Sequence, residues 1–185
     1  MHESTKWIRG EIIVVAIIIA LLGMYRHPML LSHQWHRLLH IFGAVLLLGN
    51  IIVTAAWMFL AERTRNASSL RFASEAVNWA DVFFTVPGVF LLITNGDILA
   101  ELWGGVFKTG WIAVSLALFV VSGVLWAGFL LRYQNRLIRL SRETSGIQLL
   151  PEFIKILHKW YAVGATATVI LLISLAFMVF KPVFW

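Results

Sequence analysis

The chain contains no cysteine. Disulfides, thiolate metal sites and thiol redox chemistry are therefore excluded. No stretch alternates polar and apolar residues with period two, so no strand competes for the hydrophobic segments. The sequence holds no phosphate-binding glycine loop, no nucleophile elbow and no zinc-protease motif. Acids are scarce: 9 Asp and Glu stand against 15 Lys and Arg, for a net charge of +6. In a water-soluble chain that excess would suggest nucleic acid. Here the basic residues flank apolar segments, which points to membrane orientation and anionic headgroups at the cytoplasmic face, not to nucleic acid.

What the chain does have is apolar surface. Of its 185 residues 60% are hydrophobic, and the mean hydropathy is +0.84. Such values belong to a polytopic membrane protein. A span needs about 20 apolar residues, and five segments qualify, at 7–25, 38–61, 76–94, 110–131 and 153–180. The fold class expected is an all-α transmembrane bundle of five spans in one membrane domain, a four-span core plus an N-terminal span.

Orientation follows from the basic residues. With the N-terminus inside, the cytoplasmic segments hold Lys6, Arg9, Arg63, Arg65, Arg71, Arg132, Arg136, Arg139, Arg142, Lys155 and Lys159. The outer segments hold Arg26, Arg37, Lys108 and Lys181. A split of 11 to 4 predicts N-in, C-out. The setting expected is a bacterial inner membrane. The segment 62–75 reads as an amphipathic connector, 95–109 as an outer loop and 132–152 as an interfacial helix with Arg132, Arg136, Arg139 and Arg142 on one face. Tryptophans near segment ends, Trp103, Trp111, Trp160 and Trp185 among them, read as interfacial anchors.

Two spans carry polar stripes. The second holds His33, His36, His40, Gly43, Leu47, Asn50, Thr54 and Trp57. The third holds Asn78, Asp81, Thr85, Gly88, Leu92 and Asn95. Steps of three and four keep each set on one helix face. A carboxylate facing lipid costs about 2.5–3.5 kcal/mol at a helix centre. Asn50, Asp81 and Thr85 are therefore expected between helices, and Ile51, Val82 and Phe84 toward lipid. Asn78, His158, Tyr161 and Tyr133 are candidate partners for Asp81. Pro87 removes one backbone donor and predicts a kink in the third span.

The histidines carry the candidate chemistry. His33, His36 and His40 lie three and four residues apart, so their imidazoles share a face. Neutral imidazole ligates haem iron, copper and zinc. Asp97 and Glu101 in the outer loop fall at a similar depth and would complete a copper or zinc shell. His158 lies near the opposite face, across a hydrocarbon core about 30 Å thick. It cannot share an iron with His40.

The runs Leu39-His40-Ile41-Phe42-Gly43-Ala44-Val45 and Gly49-Asn50-Ile51-Ile52-Val53-Thr54 carry a resemblance. So do Val77-Asn78-Trp79-Ala80-Asp81, Pro87-Gly88, Gly110-Trp111, Ser122-Gly123-Val124-Leu125-Trp126 and Met178-Val179-Phe180-Lys181-Pro182. From about Leu38 to Pro182 the chain resembles a bacterial family of predicted integral membrane proteins of unknown function. More distantly, its layout is similar to the CopD copper-resistance membrane proteins and the HemJ-type protoporphyrinogen oxidases. These share a Leu-His pair opening a long span, a Pro-Gly in the next and a terminal Lys-Pro. The resemblance implies that His40 is a haem or metal ligand. The lysine and later histidine of the HemJ-type fourth span are absent, at Ala113 to Leu116 and Gly123 to Trp126, so it implies fold rather than porphyrinogen oxidation.

Two functions stand as expectations. One is b-type haem or copper binding near the periplasmic face, with His40 leading and His36 and His33 beside it, for redox or metal handling. The alternative is a non-enzymatic, transporter-like or accessory subunit without cofactor. The bilayer is the expected partner, together with a second copy of the chain or a membrane redox partner.

Overall fold

A computed structural model describes residues 31–143 and 151–185. The expected first span, 7–25, lies outside them, as does the end of the 132–152 segment. The described residues hold four helical rods long and apolar enough to cross a membrane. The all-helical reading therefore stands, with four spans among the described residues.

Helix α1, His33–Thr64, runs for 32 residues and ends where Arg65 turns left-handed, its N–H on the Glu62 carbonyl. Asn66 then caps α2, Ala67–Ala80, by accepting from the Ser68 backbone N–H. The expected connector 62–75 is thus mostly helix. A π-helical turn, Asp81–Thr85, leads into α3, Val86–Ala100, and a 3-10 turn, Glu101–Trp103. The expected kink at Pro87 takes the form of that wide turn: the Val86 N–H reaches back to the Asp81 carbonyl. Widening relieves the clash between the proline ring and the carbonyl of the preceding turn. Asn95, Asp97 and Glu101, expected in a loop, lie on this rod. It stops at Gly104, φ 84°, where the left-handed conformation suits a residue without Cβ.

The third rod is α4, Gly110–Leu125, a second π turn, Trp126–Leu130, and α5, Leu131–Glu143. The arginines of α5 face outward as expected, but α5 is no free interfacial helix. It continues the span, and its apolar face is buried through Leu137, Ile138 and Leu140. The fourth rod is α6, Pro151–Phe180.

The rods form two hairpins. In the first, α1 lies along α2 and α3; in the second, α6 lies along α4 and α5. Along the first seam, Gly43 faces Gly88 so closely that a Cβ on Gly43 would stand 2.7 Å from the Gly88 carbonyl oxygen. Two glycines thus let two backbones touch. Along the second seam, Ser115 and Ser174 each donate to the other's carbonyl oxygen, at 3.4 and 3.0 Å, and Ser122 donates to the Ala167 carbonyl at 3.1 Å. Such bonds average about 0.6 kcal/mol within a membrane. Ser115→Ala should therefore lower stability by about that much. Denaturant titration in mixed micelles checks this; a loss several times larger would show that the pair does more than fasten two helices.

The hairpins meet at one end. Met58, Leu70, Val77, Leu137, Phe153, Leu157 and Trp160 share a buried cluster there, and the arginines of α5, the helix that carries Leu137, are exposed. Trp160, expected as an interfacial anchor, belongs to this core. We call this the arginine end. Toward the opposite, histidine end, no extended contact joins α1 and α3 to α4 and α6. There the C-terminal tail folds onto the α3–α4 connection: the Lys181 ammonium lies 4.6 Å from the Trp103 ring and 5.6 Å from Trp111.

Candidate functional site

Both polar stripes face each other across the first hairpin. His36, Gly43, Leu47, Asn50 and Thr54 are buried on α1, and Asn78, Asp81, Thr85, Gly88 and Asn95 on the facing rod. The stripe frays at its ends: His33 and Trp57 are exposed, and Met58 takes the inward place expected of Trp57. Phe84 is exposed as expected. Val82 is not; it is buried because Trp126 and Leu131 of the other hairpin pack on it.

At the histidine end, His36 and His40 point into the seam. His36 Nδ1 lies 2.8 Å from Asn95 Oδ1, and His40 Nδ1 lies 2.8 Å from the Leu92 carbonyl oxygen. Asn95 donates its amide nitrogen to the Leu91 carbonyl, 2.9 Å away, which orients its oxygen toward His36. Both partners of the imidazoles are therefore acceptors. Each ring must donate from Nδ1, and each neutral ring then carries its lone pair on Nε2. His36 Nε2 is buried without a partner among the described residues. Gly96 makes room for His40: a Cβ there would stand 2.9 Å from the His40 Cε1.

The structure does not gather the rest of the expected metal shell. His33 is exposed at the first turn of α1, Asp97 is half-buried on α3, and Glu101 is exposed on the 3-10 turn. Among the described residues no group of three or more His, Asp or Glu stands close enough to hold a metal ion. What the fold does bring together is two imidazoles one turn apart, each ring braced through Nδ1.

The second polar centre lies where the two hairpins join. Asp81 is buried, at the start of one π turn and opposite the other. Its Oδ1 accepts from Asn50 Nδ2 at 3.0 Å and from Thr85 Oγ1 at 2.8 Å. Its Oδ2 accepts from Gln134 Nε2 at 3.0 Å, with Trp126 Nε1 at 3.4 Å. Asn50 gives a further bond to Thr85 Oγ1 at 2.8 Å. The donors come from α1, from Asp81's own rod and from the second hairpin. Such a ring replaces the water a carboxylate would otherwise need.

The remaining residues fall in with this picture. Thr54 gives its hydroxyl to its own helix, at the Asn50 carbonyl, 2.6 Å away. Asn78 is fully buried one turn from Asp81. The expected partners His158 and Tyr161 go elsewhere: both reach Glu62, at 3.6 and 3.2 Å. The sequence reading named Trp126 only within a family motif and gave Gln134 no role. A signal existed, since Ser115, Ser122, Gln134 and Ser141 form a third buried polar stripe on one rod.

The family profile described as predicted integral membrane protein (DUF2269) matches residues 34–182, so the chain belongs to that family. Nothing matches among curated proteins or among solved structures. The resemblance to a family of integral membrane proteins is thereby borne out; the further likeness to the CopD and HemJ-type proteins gains no support.

Proposed function

We propose that this member of the family binds a redox-active metal, as b-type haem or copper, at the histidine end, with His40 as first ligand and His36 beside it. One observation carries the reading. Both rings are anchored through Nδ1 to acceptors on α3, and both Nε2 lone pairs are left for a metal. An Nδ1–H bond to a backbone carbonyl or an amide oxygen is how a protein fixes the tautomer and orientation of a metal-ligating imidazole. The buried, partnerless Nε2 of His36 supports it too, because an orphaned polar atom in a membrane seam is costly unless something meets it. The group when bound would supply one-electron transfer. The chain would supply imidazole donors, their orientation and an apolar surrounding. Its remaining coordination positions would be left to other groups, since Asp97 and Glu101 do not complete a three-residue cluster.

The test is the pigment and metal content of detergent-purified protein. A Soret band identifies haem; stoichiometric copper without the band identifies the ion. His40→Ala should abolish the bound group, His36→Ala should weaken it about 10-fold or more, and His158→Ala should leave it. Wild-type protein with neither absorbance nor stoichiometric metal overturns the reading and favours the non-enzymatic, transporter-like or accessory subunit. So does full retention by His40→Ala.

A further inference from the structure

We propose that Asp81 is an intramembrane proton-binding site, exchanging with the aqueous phase at the arginine end, and that Gln134 adapts its cage to both protonation states. This goes beyond the histidine reading and does not rest on it.

The cage is built for a group that changes. Four neutral donors surround the carboxyl: Asn50 from α1, Thr85 from its own rod, Trp126 and Gln134 from the other hairpin. No cation is among these partners. The charged and titratable groups on the packed helices are engaged elsewhere. Glu75 of α2 pairs with Arg71 and Arg142, and Glu62 of α1 takes His158 and Tyr161 of α6. Tyr133 of α5 packs against the apolar core. The site would therefore hold one full negative charge within the membrane, or a neutral acid.

Gln134 is the part that can respond. Its Nε2 donates to Asp81 Oδ2, while its Oε1 is buried with no partner among the described residues. Gln134 itself is 3% exposed. A side-chain amide has two nearly isosteric ends, one a donor and one an acceptor. In the ionised state Nε2 faces the carboxylate. When a proton from water is added to Oδ2, a half-turn of the amide brings Oε1 to face the new O–H. One N–H···O bond is exchanged for one O–H···O bond, and the other oxygen keeps its two donors. A fixed ring of donors alone would reject the proton; this one has a reversible position.

Polar side chains lead from Asp81 toward the arginine end on the same face. Asn78 and Ser74 follow Asp81 at steps of three and four toward the arginine end, and both are buried. The Ser74 hydroxyl has no partner among the described residues. Two π turns meet at the carboxyl, and such turns occur frequently at functional sites.

The experiment is infrared difference spectroscopy between high and low pH on the full chain in nanodiscs. Wild-type protein should show the carbonyl stretch of a buried protonated carboxylic acid at low pH, shifting to lower frequency in D2O. Asp81→Asn should remove the band. Gln134→Leu should keep it but move it to higher frequency, because the acid loses its acceptor. That second variant decides the matter if Asp81→Asn does not fold. No band at any pH, a band that survives Asp81→Asn, or an unshifted band in Gln134→Leu overturns the proposal.

Discussion

Gly43→Leu should separate the helices of the first hairpin. A Cβ at that position would meet the Gly88 carbonyl oxygen at 2.7 Å and the Leu92 backbone nitrogen at 2.9 Å. The contact is reciprocal, since a Cβ on Gly88 would stand 2.9 Å from the Gly43 carbonyl oxygen. These are main-chain atoms and cannot swing aside as a side chain would. Relief requires the two rods to move apart, which also stretches the His36–Asn95, His40–Leu92 and Asn50–Asp81 bonds along the same seam. Even Gly43→Ala should cost about 1–3 kcal/mol, the usual range for overpacking, and leucine more. Gly49 is the control: a Cβ there meets nothing within 4 Å. Gly49→Ala should be neutral or stabilising by up to about 1 kcal/mol through helix propensity. Denaturant titration with helical ellipticity as the readout compares the three. Equal midpoints for Gly43→Ala and Gly49→Ala would show that the helices do not touch at Gly43.

The second large effect is expected at Asn50. Its amide nitrogen serves both Asp81 Oδ1 and Thr85 Oγ1. Asn50→Leu leaves a buried carboxylate one donor short. Hydrogen bonds to charged groups contribute about 1.5–3 kcal/mol, with a further penalty for the group left unsatisfied. A loss of about 3 kcal/mol is expected on that basis. The cause can be separated from simple misfit by a double-mutant cycle with Asp81→Asn. If the two side chains act through one bond, the double variant should be more stable than the sum of the singles predicts, by about 0.5–3 kcal/mol. Strict additivity would place the effect of Asn50 elsewhere. Thr54→Val is a useful comparison, because among the described residues Thr54 bonds only within its own helix and should lose much less.

The stripes were legible because polarity in a membrane span is expensive. A residue such as Asn50 or Asp81 has to face inward, and steps of three and four then fix one face for the whole set. Which atoms would meet was not legible. That depends on how far one rod slides along another, and the Gly43–Gly88 contact sets the slide. It brings Asn50 level with Asp81, and His36 level with Asn95. Depth along the membrane is all the sequence offers for Asp97 and Glu101; among the described residues they do not join the histidines in a group of three or more. Gln134 was hidden twice. Its arginine neighbours made the segment read as surface. The π turn at Trp126–Leu130 also adds one residue to the repeat, so Gln134 falls one place late for the phase set by Ser115 and Ser122. Val82 was misplaced by the partner hairpin, which its own helix's periodicity cannot announce. The strict heptad of Phe153, Trp160, Ala167 and Ser174, all buried on α6, was there to be read.

The tautomers of His36 and His40 test the central claim most directly. Nitrogen-15 NMR on the full chain, with histidine rings labelled, distinguishes a protonated Nδ1 from a protonated Nε2. Each ring should carry its proton on Nδ1, and added copper should move or broaden the Nε2 resonances of His36 and His40 before those of the exposed His33 and His158. A proton on Nε2 of either ring would contradict the account, because that nitrogen would then have no lone pair to give a metal.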